Sequence, residues 1–284
     1  MKIKEYRAQF IDVLTPIYDA GEAESFFYLI LEEKQKLKRI DLALQPDLLF
    51  MESEIVVWNS ILEELKKEIP IQYLLGKTSF YGLDFEVNPN VLIPRPETEE
   101  LVEWILESQN SNVESQKISI LDIGTGSGCI AISLAKNLPK ATVSAIDVSE
   151  KALATAKKNA QNNSVNVAFI NQNILQAEDL KQQFDIIVSN PPYVRNLEKE
   201  EIKKNVLDNE PHLALFVEDK DALIFYKKIA DLALKNLTIN GTLFFEINQY
   251  LGLETVALLK ELQFKEIELR KDMYGNDRMI RCSI

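Results

Sequence analysis

Asn190-Pro191-Pro192-Tyr193 directly follows the apolar run Phe184-Asp185-Ile186-Ile187-Val188-Ser189. A buried strand that ends in a rigid polar turn delivers that turn to the carboxyl edge of a parallel sheet, where ligands bind in such sheets. The Asn side chain offers a carbonyl acceptor and an NH2 donor. Two prolines fix φ and remove backbone donors, which leaves carbonyl oxygens to face a ligand, and Tyr193 adds a flat apolar face with a polar tip. A turn of this composition can hold a planar NH2 group, as in an amide or an aromatic amine, by its two hydrogens. Asn-Pro is also ordinary turn punctuation, so the turn alone is equally consistent with a plain strand-to-loop stop.

Upstream, Ile118-Ser119-Ile120-Leu121-Asp122-Ile123 leads into Gly124-Thr125-Gly126-Ser127-Gly128, then a helical pattern at Ile130, Ala131, Leu134, Ala135 and Leu138 stopped by Pro139. This reads as strand, glycine loop, helix. Glycine admits positive φ and close approach of a ligand, and the helix start presents free N–H groups. No Gly-Lys-Ser/Thr follows, so it is not a P-loop, and its alternating glycines depart from the G-x-G-x-x-G dinucleotide pattern. A second strand, Thr142 to Asp147, closes on an acid about 20 residues beyond the loop, a spacing that suits ribose hydroxyls. Ser149 then caps a helix with apolar positions at Leu153, Ala156 and Ala160. Together these residues suit a nucleoside without a diphosphate; alternatively, Asp147 merely ends a strand at a solvated loop.

The elements that must position this chemistry divide the chain in two. Up to about residue 70 the periodicity is helical, with stripes at Phe10, Val13, Leu14 and Ile17, at Phe26, Phe27, Ile30 and Leu31, and at Trp58, Ile61, Leu62, Leu65 and Ile69. These predict a small bundle whose aromatic residues are core. Phe80 to Val91 reads as short strands with a turn at Asn88-Pro89-Asn90. Residues 107 to 116 are polar and loop-like. Beyond Ile118, strand patterns (Val165–Asn171, Phe184–Ser189, Gly241–Ile247, Phe264–Leu269, Met279–Ile284) alternate with helices near Asp221–Leu237 and Leu251–Leu262. This predicts a mainly parallel sheet covered on both faces, its final two strands a hairpin.

The 284 residues are 46% hydrophobic, enough for a sizeable core, and carry a net charge of −12. That charge argues against a nucleic-acid substrate, since neutralising phosphates needs a basic face. Cys129 and Cys282 have no metal or redox spacing and read as small buried residues of a reducing compartment. No run approaches the ~18 apolar residues of a membrane span, so a soluble, cytoplasmic protein is expected.

The loop Asp122 to Gly128, Asp147 and the turn Asn190 to Tyr193 resemble class I S-adenosylmethionine-dependent methyltransferases that act on planar nitrogens. Within that group, the run Asn88 to Glu99, which ends Arg95-Pro96-Glu97-Thr98-Glu99, is similar to the peptide chain release factor glutamine methyltransferases. Pro70 to Gly76, Phe80-Tyr81-Gly82, Glu210-Pro211, Asp272 and Asp277-Arg278 fall in that family's order. The ribosomal-protein glutamine methyltransferases are similar but usually lack the Arg95-to-Glu99 run. The chain departs from the family at Asn173, where an acid is common, at Ile174, where an aromatic is often seen, and at Phe216 to Lys220, where glycines are usual.

The resemblance implies an α/β fold with a mainly parallel seven-stranded sheet and an antiparallel last strand. It implies a helical substrate-docking domain at 1–75, a linking hairpin and helix at 76–107, and the methyltransferase domain at 108–284. The cofactor is expected to be S-adenosylmethionine, held by Asp122, Gly124, Thr125, Gly126, Ser127, Gly128, Asp147, Asn173, Ile174 and Asn190. The catalytic turn is expected to be Asn190, Pro191, Pro192 and Tyr193: the Asn190 side-chain oxygen and the Pro191 carbonyl grip the amide, and Tyr193 packs against it. Arg95 and Glu97 are expected to close over cofactor and substrate, or else to form a solvated loop. The expected substrate is the Gly-Gly-Gln loop of a release factor, with no metal, no stable nucleic-acid binding, no membrane association and a monomeric state. His212, the only histidine, reads as a loop residue rather than a base. Competing readings are methylation of a ribosomal-protein glutamine or of the exocyclic amine of adenine, and a non-catalytic nucleoside-binding or assembly protein.

Overall fold

The structure, a computed structural model, describes residues 1–109 and 117–284. Most of the polar stretch expected as a loop at 107–116 therefore lies outside the described residues. The chain forms two compact units, Met1–Gly76 with Lys204–Asn209, and Lys77–Lys203 with Glu210–Ile284.

The first unit is helical: α1 (Ile3–Leu14), α2 (Ala20–Gln35), α3 (Arg39–Leu44), α4 (Glu52–Leu65) and α5 (Ile71–Leu75). Trp58 is fully buried, with the rings of Tyr6, Phe10, Phe27 and Phe50 at centroid distances of 4.8 to 5.8 Å. The expected stripe on α1 is shifted. Its buried face runs Ile3, Tyr6, Phe10, Leu14, because the helix stops at Leu14 and Ile17 falls beyond it; Val13 and Ile17 are exposed. Asp19 caps α2, its carboxylate accepting from Glu22 N–H at 2.8 Å. The short helix Lys204–Asn209 joins this unit, and Asn209 Nδ2 donates to the carbonyl of Glu68 at 3.3 Å.

The second unit starts with the hairpin β1 (Lys77–Phe80) and β2 (Leu83–Glu86), followed by α6 (Pro96–Gln109). The hairpin itself turns at Tyr81-Gly82. Both central residues have positive φ, 47° and 72°, as a two-residue hairpin turn that follows strand twist requires. The expected turn at Asn88-Pro89-Asn90 is also formed, with Val91 N–H donating to the Asn88 carbonyl at 3.0 Å, but it follows β2. Phe80, Phe85, Leu101 and Trp104 are buried in one cluster with residues of the large sheet, so the hairpin and α6 are part of that sheet's core.

Among the described residues the sheet has seven strands: β3 (Ser119–Ile123), β4 (Thr142–Asp147), β5 (Ala168–Asn171), β6 (Phe184–Ser189), β7 (Leu237–Glu246), β8 (Lys265–Lys271) and β9 (Asp277–Ser283), in the order β8-β9-β7-β6-β3-β4-β5. β3 pairs in parallel with both β4 and β6, and β9 is antiparallel to both neighbours, as expected for the last strand. The helices α7 (Cys129–Asn137), α8 (Glu150–Asn162), α9 (Ile224–Asn236) and α10 (Gly252–Glu261) cover the faces. Alternate strand residues feed two cores: Ile120, Val143 and Phe244 on the α6–α7 side, and Leu121, Ile146 and Phe245 on the α9 side. Strand order reverses at β3 and β6, which opens a crevice at their carboxyl ends. Among the described residues, no helix is long and apolar enough to cross a membrane.

Candidate active site

The glycine loop leaves β3 and folds over the end of β4. Gly124 and Thr125 donate their N–H groups to the carbonyl of Ile146 at 2.8 and 3.0 Å, and Gly126 N–H donates to Asp147 Oδ2 at 2.8 Å. Gly126 has φ +55° with open space where a Cβ would stand, whereas a Cβ on Gly128 would meet Ile132 Cδ1 at 2.8 Å. The first glycine thus keeps a cradle open, and the second lets α7 and α8 approach.

The turn Asn190 to Tyr193 begins where β6 ends, beside this loop; a Cβ on Gly124 would lie 3.9 Å from the Asn190 carbonyl. Loop and turn share a cavity of about 220 Å³, walled further by Val91, Leu92, Leu213 and Phe225. Of the expected site residues, the structure brings Gly124, Gly126, Asp147, Asn173, Ile174, Asn190, Pro191 and Pro192 to its lining. Among the described residues that line it, none is Lys or Arg, and Asp147 is the single charged one.

Seven residues expected at cofactor or substrate do not line the cavity: Asp122, Thr125, Ser127, Gly128, Tyr193, Arg95 and Glu97. Asp122 is wholly buried beneath the loop, where its Oδ2 accepts from Thr125 Oγ1 at 2.6 Å and its Oδ1 lacks a partner. Burial pushes its carboxyl up to about 7. The first four of these residues shape the loop from below. Tyr193 turns its ring into the core on the α9 side and its hydroxyl to Glu246 Oε1, 3.1 Å away. It therefore anchors the turn instead of stacking on a substrate amide. Burial and the neighbouring Glu246 carboxylate push its phenol well above the usual range.

The charged run is not a solvated loop throughout. Arg95 Nη2 donates to Glu210 Oε1 at 2.5 Å, and Glu210 Oε2 accepts from Ile93 N–H at 3.2 Å. This ties the 93–95 segment to the Pro211–Ala214 wall of the cavity. Glu99 accepts from Tyr81 N–H at 2.9 Å. Glu97, half-buried in the first turn of α6, lies in the electrostatic surroundings of Glu246. His212 opens a short helix, His212–Leu215, edge-on to Phe216 and off the cavity lining.

Sequence reasoning passed over the residues that brace the turn. Ser189 Oγ donates to the Ile123 carbonyl at 2.6 Å, Asn248 Nδ2 donates to the Tyr193 carbonyl at 2.9 Å, and Glu246 accepts from Tyr193. Glu246 is 1% exposed and held above its usual carboxylate range by burial. One signal for it was visible: an acid inside the apolar run Leu243-Phe244-Phe245-Glu246-Ile247.

The lining suits the expected cofactor. The open backbone cradle at Gly126 lies next to Asp147, which can accept from ribose hydroxyls, and Ile174 and Pro191 offer apolar walls to a base. A lining whose only charge is negative matches a cationic sulfonium and disfavours a polyphosphate. Burial raises Asp147 above its ordinary value, and the N–H groups of Ser149, Gly126 and Val148 work against that rise.

Known proteins are similar to this chain in sequence and in fold. The family model for the methyltransferase small domain matches residues 105–214. The release factor glutamine methyltransferase of Flavobacterium psychrophilum is 64% identical over 284 residues, covering 100% of this chain and 99% of its own. That of Bacteroides thetaiotaomicron is 43% identical over 271 residues, covering 95% and 96%. A methyltransferase crystal structure from Pyrococcus furiosus has the same fold, with a TM-score of 0.52 at 21% identity over 72% of this chain and 90% of that one. The fold is that of the class I S-adenosylmethionine-dependent methyltransferases, and the chain belongs to the release factor glutamine methyltransferase family.

Proposed function

We propose that this protein transfers a methyl group from S-adenosylmethionine to the side-chain amide nitrogen of the glutamine in the Gly-Gly-Gln loop of peptide chain release factors, thereby modulating translation termination. The observation that carries the reading is the meeting of the Asn190 turn and the Gly124 loop on one cavity whose only lining charge is Asp147.

Bound S-adenosylmethionine supplies a methyl group already activated on a sulfonium. The protein's task is to position a weak nucleophile, since the lone pair of an amide nitrogen is delocalised into its carbonyl. The Asn190 side-chain oxygen and the Pro191 carbonyl accept from the two N–H bonds of the glutamine amide, which orients the nitrogen and stabilises positive charge as it develops. Pro192 fixes the path of the turn. Of the residues lining the cavity, Asp147 would hold the ribose, and Asn173 and Ile174 would hold the base. Water takes the proton lost from the methylated nitrogen, so no side-chain base is assigned. Arg95 and Glu97 stand at the substrate side, where the Arg95–Glu210 pair holds the cavity wall. The helical unit, residues 1–75, docks the body of the release factor, and the enzyme acts as a cytoplasmic monomer without stable nucleic-acid binding, in keeping with a net charge of −12.

The test is intact mass spectrometry of a purified release factor incubated with this protein and S-adenosylmethionine, beside the same factor with its loop glutamine changed to alanine. The expected result is a mass gain of one methyl for one hydrogen on the unaltered factor only. No gain on either, with cofactor binding confirmed separately, would move the substrate to ribosomal proteins and then to adenine in nucleic acid.

A further inference from the structure

The amide of Asn190 can face the cavity with either its oxygen or its nitrogen, and only the oxygen can accept from a substrate NH2. The choice is made outside the cavity. Asn190 Nδ2 donates to Thr98 Oγ1 at 3.3 Å, and Thr98 Oγ1 lies 2.6 Å from Glu246 Oε2. Thr98 is 3% exposed, in the first turn of α6, and comes from the Arg95-to-Glu99 run, of which Arg95 pairs with Glu210 and Glu99 with Tyr81 N–H. A hydroxyl has one hydrogen. Burial opposes the charge of Glu246, but Arg278 nearby and the hydroxyls of Thr98 and Tyr193, one on each carboxylate oxygen, favour it. The ionised carboxylate can only accept, so Thr98 gives its hydrogen to Glu246 and can only accept from Asn190. The Asn190 nitrogen is thereby drawn to Thr98, and its oxygen is left for the cavity. Glu246 also accepts from the hydroxyl of Tyr193, so one buried carboxylate holds both ends of the turn.

We infer that Thr98 is a positioning residue for methyl transfer, fixing through Glu246 which end of the Asn190 amide meets the substrate. The inference rests on the proposed reaction, and it makes Thr98 a determinant of selectivity as well as of rate. A correctly set Asn190 accepts from a glutamine amide and repels a glutamate carboxylate of the same shape. Without Thr98 the amide is free to rotate and to offer its NH2 to that carboxylate.

The experiment compares wild type, Thr98→Val and Thr98→Ser with a release factor as substrate, and measures binding of the same factor carrying glutamate in place of its loop glutamine. Melting temperature and affinity for S-adenosylhomocysteine serve as controls of fold and cofactor site. Thr98→Val is expected to lower turnover at saturating substrate about tenfold or more, the loss of one hydrogen-bond energy from the transition state. Its cofactor affinity stays at the wild-type level, and its preference for the glutamine factor over the glutamate factor narrows. Thr98→Ser, which keeps the hydroxyl, restores both turnover and preference. Unchanged turnover and preference in Thr98→Val overturn the inference, and so does a loss in Thr98→Ser as large as in Thr98→Val. Should Thr98→Val fail the fold controls, Thr98→Ser decides alone, since a loss there assigns Thr98 a packing role through its methyl group. Absence of methyl transfer by the wild type would defeat the proposed reaction instead, while the binding comparison would still report on Thr98.

Discussion

Asp147 accepts from the backbone N–H of Gly126 through Oδ2 at 2.8 Å, so the acid that ends β4 also fixes the glycine loop that leaves β3. Its other oxygen accepts from Ser149 N–H at 2.8 Å, at the entry to α8. Loop, acid and helix start are thus set by one carboxylate before any ligand arrives. The acid proposed to hold the ribose is pre-oriented, which spares the ordering cost of binding.

Asp147→Asn should therefore damage cofactor binding through two routes. An amide must place its NH2 against one of the two backbone N–H donors, and it loses the charge that strengthens both bonds. Loss of charge-assisted hydrogen bonds of about 1.5–3 kcal/mol corresponds to roughly a tenfold to hundredfold weaker cofactor affinity. Turnover at saturating cofactor should change far less. Calorimetric titration with S-adenosylhomocysteine reads the first, steady-state kinetics the second, and an unchanged affinity would remove Asp147 from the cofactor site.

Gly126 and Gly128 both have positive φ but should answer differently to alanine. At Gly126 the added methyl meets nothing within 4 Å, so the backbone penalty of ~1 kcal/mol is the main cost to stability. The methyl does enter the cavity, so cofactor affinity should fall. At Gly128 the methyl would meet Ile132 Cδ1 at 2.8 Å and Ala156 Cβ at 3.1 Å. Backbone strain and overpacking together make roughly 2–4 kcal/mol. Urea unfolding of the two variants, with cofactor titration alongside, should separate the larger stability loss at Gly128 from the binding loss at Gly126.

Much of the site was legible because it is local. The patterns Thr142 to Asp147 and Phe184 to Ser189 coincide with β4 and β6, and each ends where its chemistry begins. What escaped notice is long-range or conformational. Thr98 and Glu246 are 148 residues apart in sequence, and neither periodicity nor spacing links a helix-start threonine to a strand-end acid. Asn88-Pro89-Asn90 is a turn, as its residue types predict, but the hairpin reverses before it, at Tyr81-Gly82. That reversal places Tyr81, a residue with no turn preference, at positive φ. Asp122 and Tyr193 were assigned to ligand contacts because a motif gives order along the chain, not the side on which each member points. Alternation along β3 puts the Asp122 side chain under α7, away from the cavity.

The Arg95–Glu210 pair predicts an asymmetry between its partners. The Glu210 side chain is 1% exposed and the Arg95 side chain 32%. Arg95→Ala strands a buried carboxylate with one backbone donor left, and should cost roughly 2–3 kcal/mol, below the 3–5 of a fully buried pair because Arg95 is partly solvated. Glu210→Gln leaves a guanidinium that water can reach, while the glutamine oxygen still accepts from Ile93 N–H, and should cost about 1 kcal/mol. Denaturant unfolding of both variants tests the order. Equal losses would show that shape, not charge, sets this joint.

Asp122 gives stability a pH dependence whose sign follows from burial. Its carboxyl rises from 3.8 to about 7 in the folded chain, so between those values the folded state holds a proton that the unfolded state has released. The resulting stabilisation is fully present below pH 3.8 and is lost as pH rises through about 7. Above that, the folded chain carries an ionised carboxylate beneath the loop, with Asp147 nearby opposing it. The span corresponds to about 4 kcal/mol. Asp122→Asn removes the titration while keeping an oxygen for Thr125 Oγ1. The stability of Asp122→Asn relative to wild type should therefore increase as pH rises from 5 to 8, as measured by urea unfolding at a series of pH values. A constant difference across that range would mean that Asp122 keeps the same charge in the folded chain throughout.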